Sequence, residues 1–163
     1  MLPDIKTILY ATDLSGNSAY ACRYAVYLAE KTGAKIHVLH VAERLPPDAL
    51  DTLEDYLDKS GNREQFLKSR LENSKRLLKE RFEKFWQSLD ESERHLRSHI
   101  ASLHVVESQA ADTIVSYAKK IDADLIVMGT HQKGPIQAFL GSISRRVLGI
   151  ATIPTLVVPI GNR

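Results

Sequence analysis

The sequence predicts an α/β fold: a single open, mainly parallel five-stranded sheet with helices on both faces. Short apolar runs rich in β-formers alternate with stretches of helical periodicity, and most connections between them are short. That alternation implies parallel strands joined by right-handed crossovers. A glycine-bearing loop between a buried strand and a helix start adds a Rossmann-like feature, because such sheets bind ligands beyond the carboxyl ends of their strands. At 163 residues, the chain fits one domain, 1–163, with a well-developed core. One segment departs from the alternation, a charged helical insertion over residues 44–100, between the second and third strands.

Ile5 to Ala11 is an apolar run bounded by Asp13, Ser15, Gly16 and Asn17, which reads as a strand buried on both faces. Asn17 or Ser18 caps the helix that follows, and Gly33 ends it in a left-handed C-cap. Within that helix, Ala21, Ala25, Leu28 and Ala29 recur at helical spacing, and their small size lets it lie close to a sheet. The second strand spans Lys35 to Val41 and the third Ser102 to Val106. Ala110 to Ile121 is a helix with Ile114, Ala118 and Ile121 on one face, and Ala123 to Met128 is the fourth strand. Ser142 to Ala151 is the last helix, directing Ile143, Val147 and Ile150 to the core. Thr155 to Pro159 is the fifth strand, and Pro159, which lacks an amide donor, places it at a sheet edge.

In the insertion, Pro46-Pro47 opens a short helix over Asp48 to Asp58, and Ser60-Gly61-Asn62 breaks it. Leu67, Leu71, Ser74, Leu78, Phe82, Phe85 and Leu89 then follow at steps of four and three, an amphipathic helix of about six turns. Its apolar stripe either covers the sheet along its length or projects at the far end, around Trp86, toward a protein partner. Glu91 to His99 reads as a solvated linker.

Composition narrows the function classes. Apolar content of 44% and charged content of 26% are ordinary for a globular protein. A net charge of +2 with no basic cluster argues against nucleic acid. No apolar run approaches the roughly 20 residues of a membrane span, and no leader pattern opens the chain, so a cytoplasmic location is expected. The lone Cys22, on the helical pattern of the first crossover, reads as a small buried hydrophobe rather than a redox centre.

The most informative stretch is Leu125-Ile126-Val127-Met128-Gly129-Thr130-His131-Gln132-Lys133-Gly134, followed by Pro135-Ile136-Gln137-Ala138-Phe139-Leu140-Gly141-Ser142-Ile143-Ser144. Glycine allows close approach of backbone to ligand, and a helix start offers unpaired N–H groups and the positive end of the macrodipole. The stretch is thus a phosphate cradle, although not a P-loop, since no Gly-Lys-Ser/Thr ends it. It resembles the universal stress protein family, whose nucleotide-binding members carry Gly-x2-Gly-x9-Gly-Ser/Thr after the fourth strand. Ile8-Leu9-Tyr10-Ala11-Thr12-Asp13-Leu14-Ser15 is similar to the family's first strand with its adenosine-side Asp, and Ile153-Pro154-Thr155-Leu156-Val157-Val158-Pro159 to its last strand. The chain departs from the pattern in the loop: Gly129 to Gly141 spans twelve steps where the motif has thirteen, and Gln132 replaces the second glycine. Gly134 is the glycine that a shifted loop would bring to that place.

The resemblance implies ATP, with or without Mg2+, its adenine against Val41 and Asp13 and its phosphates over Gly129, Gly141, Ser142 and Ser144. Ala11, Thr12, Met128, His131, Gly134 and Ile143 complete the set of expected contacts. Taken alone, Asp13 also reads as the cap of a turn, and Ser142 and Ser144 as ordinary helix-start residues. Lys133, Arg145 and Arg146 read as solvated or as anion-facing. His37 and His40, three apart on a strand, point to opposite faces and read as ordinary hydrogen-bonded histidines; His95, His99 and His104 form no ligand pattern.

No nucleophile–base pair or carboxylate cluster supports efficient turnover. The leading expectation is therefore an ATP-binding, stress-response regulatory protein using nucleotide as a conformational ligand, with at most slow hydrolysis or self-phosphorylation. The alternative is a nucleotide-free interaction module of the same fold; a small-molecule enzyme rests on fold analogy alone. A homodimer through the fifth strand is expected, because a bare apolar edge exposes unpaired backbone groups that a two-fold mate satisfies. The helix around Phe82, Phe85 and Trp86 would enlarge that interface or offer a second one.

Overall fold

A computed structural model of the chain describes residues 1–16, 18–57, 63–130 and 140–159. Five strands, β1 (Thr7–Thr12), β2 (Lys35–Glu43), β3 (Ile100–Ser108), β4 (Leu125–Gly129) and β5 (Thr155–Val158), form one sheet in the order β3-β2-β1-β4-β5. Every pairing is parallel, so the expected mainly parallel sheet is wholly so. The helices are α1 (Ser18–Thr32), α2 (Pro47–Leu57), α3 (Arg63–Ser88), α4 (Ala110–Lys120) and α5 (Ser142–Ile150). The insertion lies between β2 and β3, and β5 takes a sheet edge as Pro159 suggested.

Strand alternation divides the core in two. Ile8 and Tyr10 on β1, with Ile36 and Val38 on β2, face α1 and the C-terminal half of α3. Leu9, Ala11, Leu39 and Ile126 face α4 and α5 on the opposite side. Ile8 and Leu9, consecutive and fully buried, show why β1 reads as a continuous apolar run: it is the central strand, covered twice. Alanines at 21, 25 and 29 let α1 sit close over the sheet, and Gly33, at φ +76°, ends it by donating its N–H to Ala29 O at 2.8 Å. Cys22 is 3% exposed, and burial pushes its thiol pKa up, as befits a small core hydrophobe.

One open alternative is decided and two expectations are corrected. Trp86 does not project; it is 5% exposed, in an edge-on contact with Phe85 at 4.9 Å between ring centroids. Leu78, Phe82, Phe85 and Trp86 close over the sheet together, with Leu71 and Leu77 packed half-buried against the same core.

Glu91–His99 is not a solvated linker but a 3-10 segment. Leu96, alone among charged neighbours, is buried in the α1/α3 core and anchors it. Lys35 Nζ donates to Ser98 O at 2.9 Å, and His99 Nδ1 donates to Ala34 O at 2.8 Å.

Ile150 is 38% exposed rather than core-facing. Ser144 and Val147 are the buried residues of α5, while Ile150 is its last residue and, unlike Ile143, packs against neither core cluster.

Candidate functional site

The carboxyl ends of β1, β2 and β4 and the start of α5 meet on one rim. Ala11 and Met128 are register partners across β1 and β4, both buried, and β1 is where the strand order reverses. This is the place where open α/β sheets hold ligands. Val41 follows His40, the register partner of Thr12, and so stands on the same rim. His40 Nδ1 donates to the Thr12 carbonyl at 2.8 Å, tying β2 to β1 there. His37 pairs with Ser102 Oγ at 2.8 Å on the other face; both are hydrogen-bonded strand residues, as expected.

Beyond β1 the chain turns sharply. Thr12 Oγ1 accepts from Leu14 N at 3.1 Å, and Leu14 adopts φ +62°, a left-handed conformation costly for a non-glycine residue. Asp13, exposed at the apex, accepts from Ser15 N through Oδ1 at 2.9 Å, so the turn-capping reading of this carboxylate is realised.

At β4 and α5, Ser144 is buried, and its hydroxyl donates to the Gly129 carbonyl at 3.3 Å. Ser144 therefore fastens the first turn of α5 to the end of β4. Ser142 is exposed and Ile143 half-buried. Gly141 is the N-cap of α5, at φ −58° and ψ 163°, and makes no side-chain cap hydrogen bond. Any L-residue can adopt those angles, so only close approach by a ligand would demand glycine there. Among the described residues no side chain caps this first turn, and such a helix start beside a glycine fits a phosphate group. His131, Gly134, Gln132 and Lys133 lie outside the described residues.

The rim opens sideways into a cleft of about 580 Å³, within the ordinary range for small-molecule sites. Arg44 and Pro46 wall it after β2, Gln109 and Asp112 at the start of α4, and Ser142 and Arg146 at the start of α5. Arg146 Nη2 donates to both oxygens of Asp112 at 3.0 and 3.1 Å. Both side chains are well exposed, so the pair contributes at most about 1 kcal/mol. Its effect is to cross-link the first turns of α4 and α5 on the cleft wall. Sequence reasoning missed Arg44, Gln109 and Asp112. Their signal is position, since each follows the carboxyl end of a strand or opens the next helix.

Among the described residues, no group of three His, Cys, Asp or Glu gathers to hold a metal, and no helix is long and apolar enough to cross a membrane.

Comparison with known proteins agrees with this geometry. The sequence model of the universal stress protein family matches residues 4–159. The universal stress protein in the QAH/OAS sulfhydrylase 3' region of Thermus aquaticus is 31% identical over 154 residues, covering 94% of this chain and 98% of that one. The structure of hypothetical protein MJ0577 aligns with a TM-score of 0.69 at 23% identity, over 99% of this chain and 100% of the other. A universal stress protein in complex with cAMP aligns at 0.58 and 19% identity, over 98% and 100%. At those identities the structural likeness is one of fold.

Proposed function

This chain belongs to the universal stress protein family, and on that premise we propose that it is an ATP-binding stress-response regulator using nucleotide as a conformational ligand, with little turnover. The observation that carries the reading is the convergence of Ala11 on β1, Met128 on β4 and the uncapped start of α5 at the point where strand order reverses. In this reading the adenine lies against Val41 and Asp13, with Ala11, Thr12, Met128 and Ile143 as walls. The phosphates lie over Gly129, Gly141 and Ser142. Ser144 acts through the Gly129 carbonyl it holds, and His131 and Gly134 belong to the loop over the phosphates. Mg2+, when present, is carried by phosphate oxygens and water. Among the described residues the rim offers amides and hydroxyls of the kind that hold phosphate. A protein of similar fold taken in complex with cAMP supports an adenine nucleotide as the ligand class.

Titration calorimetry with ATP tests this. Micromolar affinity, about 7–8 kcal/mol, is expected, together with a thermal shift. No heat and no shift at millimolar ATP overturns the reading in favour of a nucleotide-free interaction module. One observation favours that second reading: Asp13 and Ser144 both have structural tasks, in the turn and at the α5 start.

The same reading takes residues 1–163 as one cytoplasmic domain in which 44–100 is an insertion, paired with a second copy along β5. β5 is an edge strand with half-buried Thr155, Leu156 and Val157, and an identical edge satisfies its backbone groups. Val157→Lys is expected to give monomer in light scattering; a folded variant that stays dimeric overturns the β5 interface.

A further inference from the structure

The start of α5 carries charge of the wrong sign for its own dipole. A helix start favours carboxylates and disfavours cations. Yet α5 has no acidic residue in its first turn, and Arg145 and Arg146 follow directly after Ser144. Arg145 turns back, its Nη2 reaching Leu140 O at 3.5 Å. Arg146 shares a face with Ser142, four residues earlier, and both line the cleft. The start of α4 has the opposite character. Asp112 stands in its first turn, where a carboxylate is favoured.

The pair of Arg146 and Asp112 joins these two starts, and its members depend on it unequally. Without Arg146, Asp112 keeps the positive end of α4. Without a negative partner, Arg146 is left beside Arg145 near the positive end of α5. Arg146 is therefore the member that needs an anion, and nothing requires that anion to be Asp112. Its Nη2 alone holds both carboxylate oxygens, short of the two-nitrogen fork that a guanidinium can offer. The two side chains are 60% and 48% exposed, so a ligand in the cleft can reach either one. Glu43 and Asp112 balance Arg44 and Arg146 around the cleft, which holds no surplus positive charge while the pair is closed.

We propose, resting on the nucleotide reading above, that Arg146 exchanges Asp112 for a phosphate of the bound nucleotide, so that binding opens the link between α4 and α5. A guanidinium meets carboxylate and phosphate oxygens with the same fork. The exchange therefore needs a turn of one side chain and no change of backbone. A polyphosphate over Gly141 and Ser142 brings several negative charges to about one helical turn from Arg146, against the single charge of Asp112. An exposed ion pair is weak, so opening it takes little from the affinity of the nucleotide. The released Asp112 stays on α4, which is then free of α5 at this wall of the cleft.

Titration calorimetry with ATP tests the exchange on wild type, Asp112→Asn, Arg146→Ala and the double variant, each checked for its fold by circular dichroism. Arg146→Ala should weaken binding about tenfold, the loss of a charge-assisted contact. Asp112→Asn should tighten it about threefold, because Arg146 no longer has to leave a carboxylate. In the double variant that gain should vanish, leaving the affinity of Arg146→Ala. The sign separates exchange from a structural link, since losing a link that shapes the cleft weakens binding. In nuclear magnetic resonance spectra, the Nε–H signal of Arg146, assigned by its absence from Arg146→Ala, should shift when ATP is added to the wild type. Asp112→Asn binding ATP no better than wild type overturns the exchange, and so does Arg146→Ala binding as well as wild type. A gain that survives in the double variant also overturns it, because the carboxylate then acts by repulsion alone. No ATP binding by the wild type overturns the nucleotide reading itself, and the exchange with it.

Discussion

The two ends of the sheet are built by opposite rules. At the amino end, backbone groups are closed by internal partners. The Asp124 carboxylate accepts from Lys6 N at 2.8 Å and Thr7 N at 2.9 Å, Lys35 N donates to Lys6 O, and Asp124 N donates to Thr7 O. Ser98 and His99 clamp the neighbouring turn. At the carboxyl end, among the described residues, side chains secure only the framework, and none caps the start of α5 beside the cleft. One end is a latch; the other, in the proposed reading, is a receptor that gains affinity from its backbone.

The contrast is broken most strongly at the latch. Asp124→Ala should cost about 2–3 kcal/mol of stability, because two amides lose a charged acceptor. ATP affinity, measured below the lowered melting transition, should stay within twofold. A large loss of affinity without loss of stability would mean that the two ends are not separable.

The reverse substitution sits on the rim. Gly141→Val should lower ATP affinity at least tenfold, about 1.4 kcal/mol, by obstructing approach to the α5 amides. Since φ −58° and ψ 163° suit valine, urea unfolding should shift by no more than about 0.5 kcal/mol. Unchanged affinity in calorimetry would make the loop purely structural.

Ser144→Ala sharpens the comparison from between, with the smallest effect. Losing the bond to the Gly129 carbonyl should cost about 1 kcal/mol of stability. Affinity should fall only a few-fold, because the residue positions the first turn without facing the ligand. A loss equal to that of Gly141→Val would assign Ser144 a direct contact.

The sequence carried the framework well because local and global signals coincide there. β1 is apolar without alternation because it is central, and β5 ends at Pro159 because it is an edge. Gly33 takes the left-handed angle its position at the end of α1 demanded. Three features escaped because their cause lies far along the chain. In the sequence Asp124 reads only as part of the fourth strand, since its partners stand 117 and 118 positions away. Whether Trp86 covers the sheet or projects stays open in the sequence, because periodicity gives the face of a helix but not what lies beneath it. Glu91–His99 looked solvated because a single leucine, Leu96, outweighs its charged neighbours once α1 is in place. At the site, Asp13, Gly141 and Ser142 were legible as strand-end and helix-start residues. The division of labour between Ser142 and Ser144 was not, because it follows from which of them faces Gly129.

The position of β1 has a consequence for synthesis. Of the five strands it is synthesised first, yet its neighbour on one side is β4, and Thr7 must wait for Asp124, 117 positions later. At about 5–20 residues per second that is a delay of roughly 6 to 23 seconds. During it, α1 and β2 can shelter Ile8 and Tyr10, but Leu9 and Ala11 have no cover until α4 emerges. The insertion lengthens this interval by postponing everything after β2. A nascent chain stalled within α3 therefore presents one apolar sheet face to solvent, which makes that stretch of translation the period when a chaperone has most to hold.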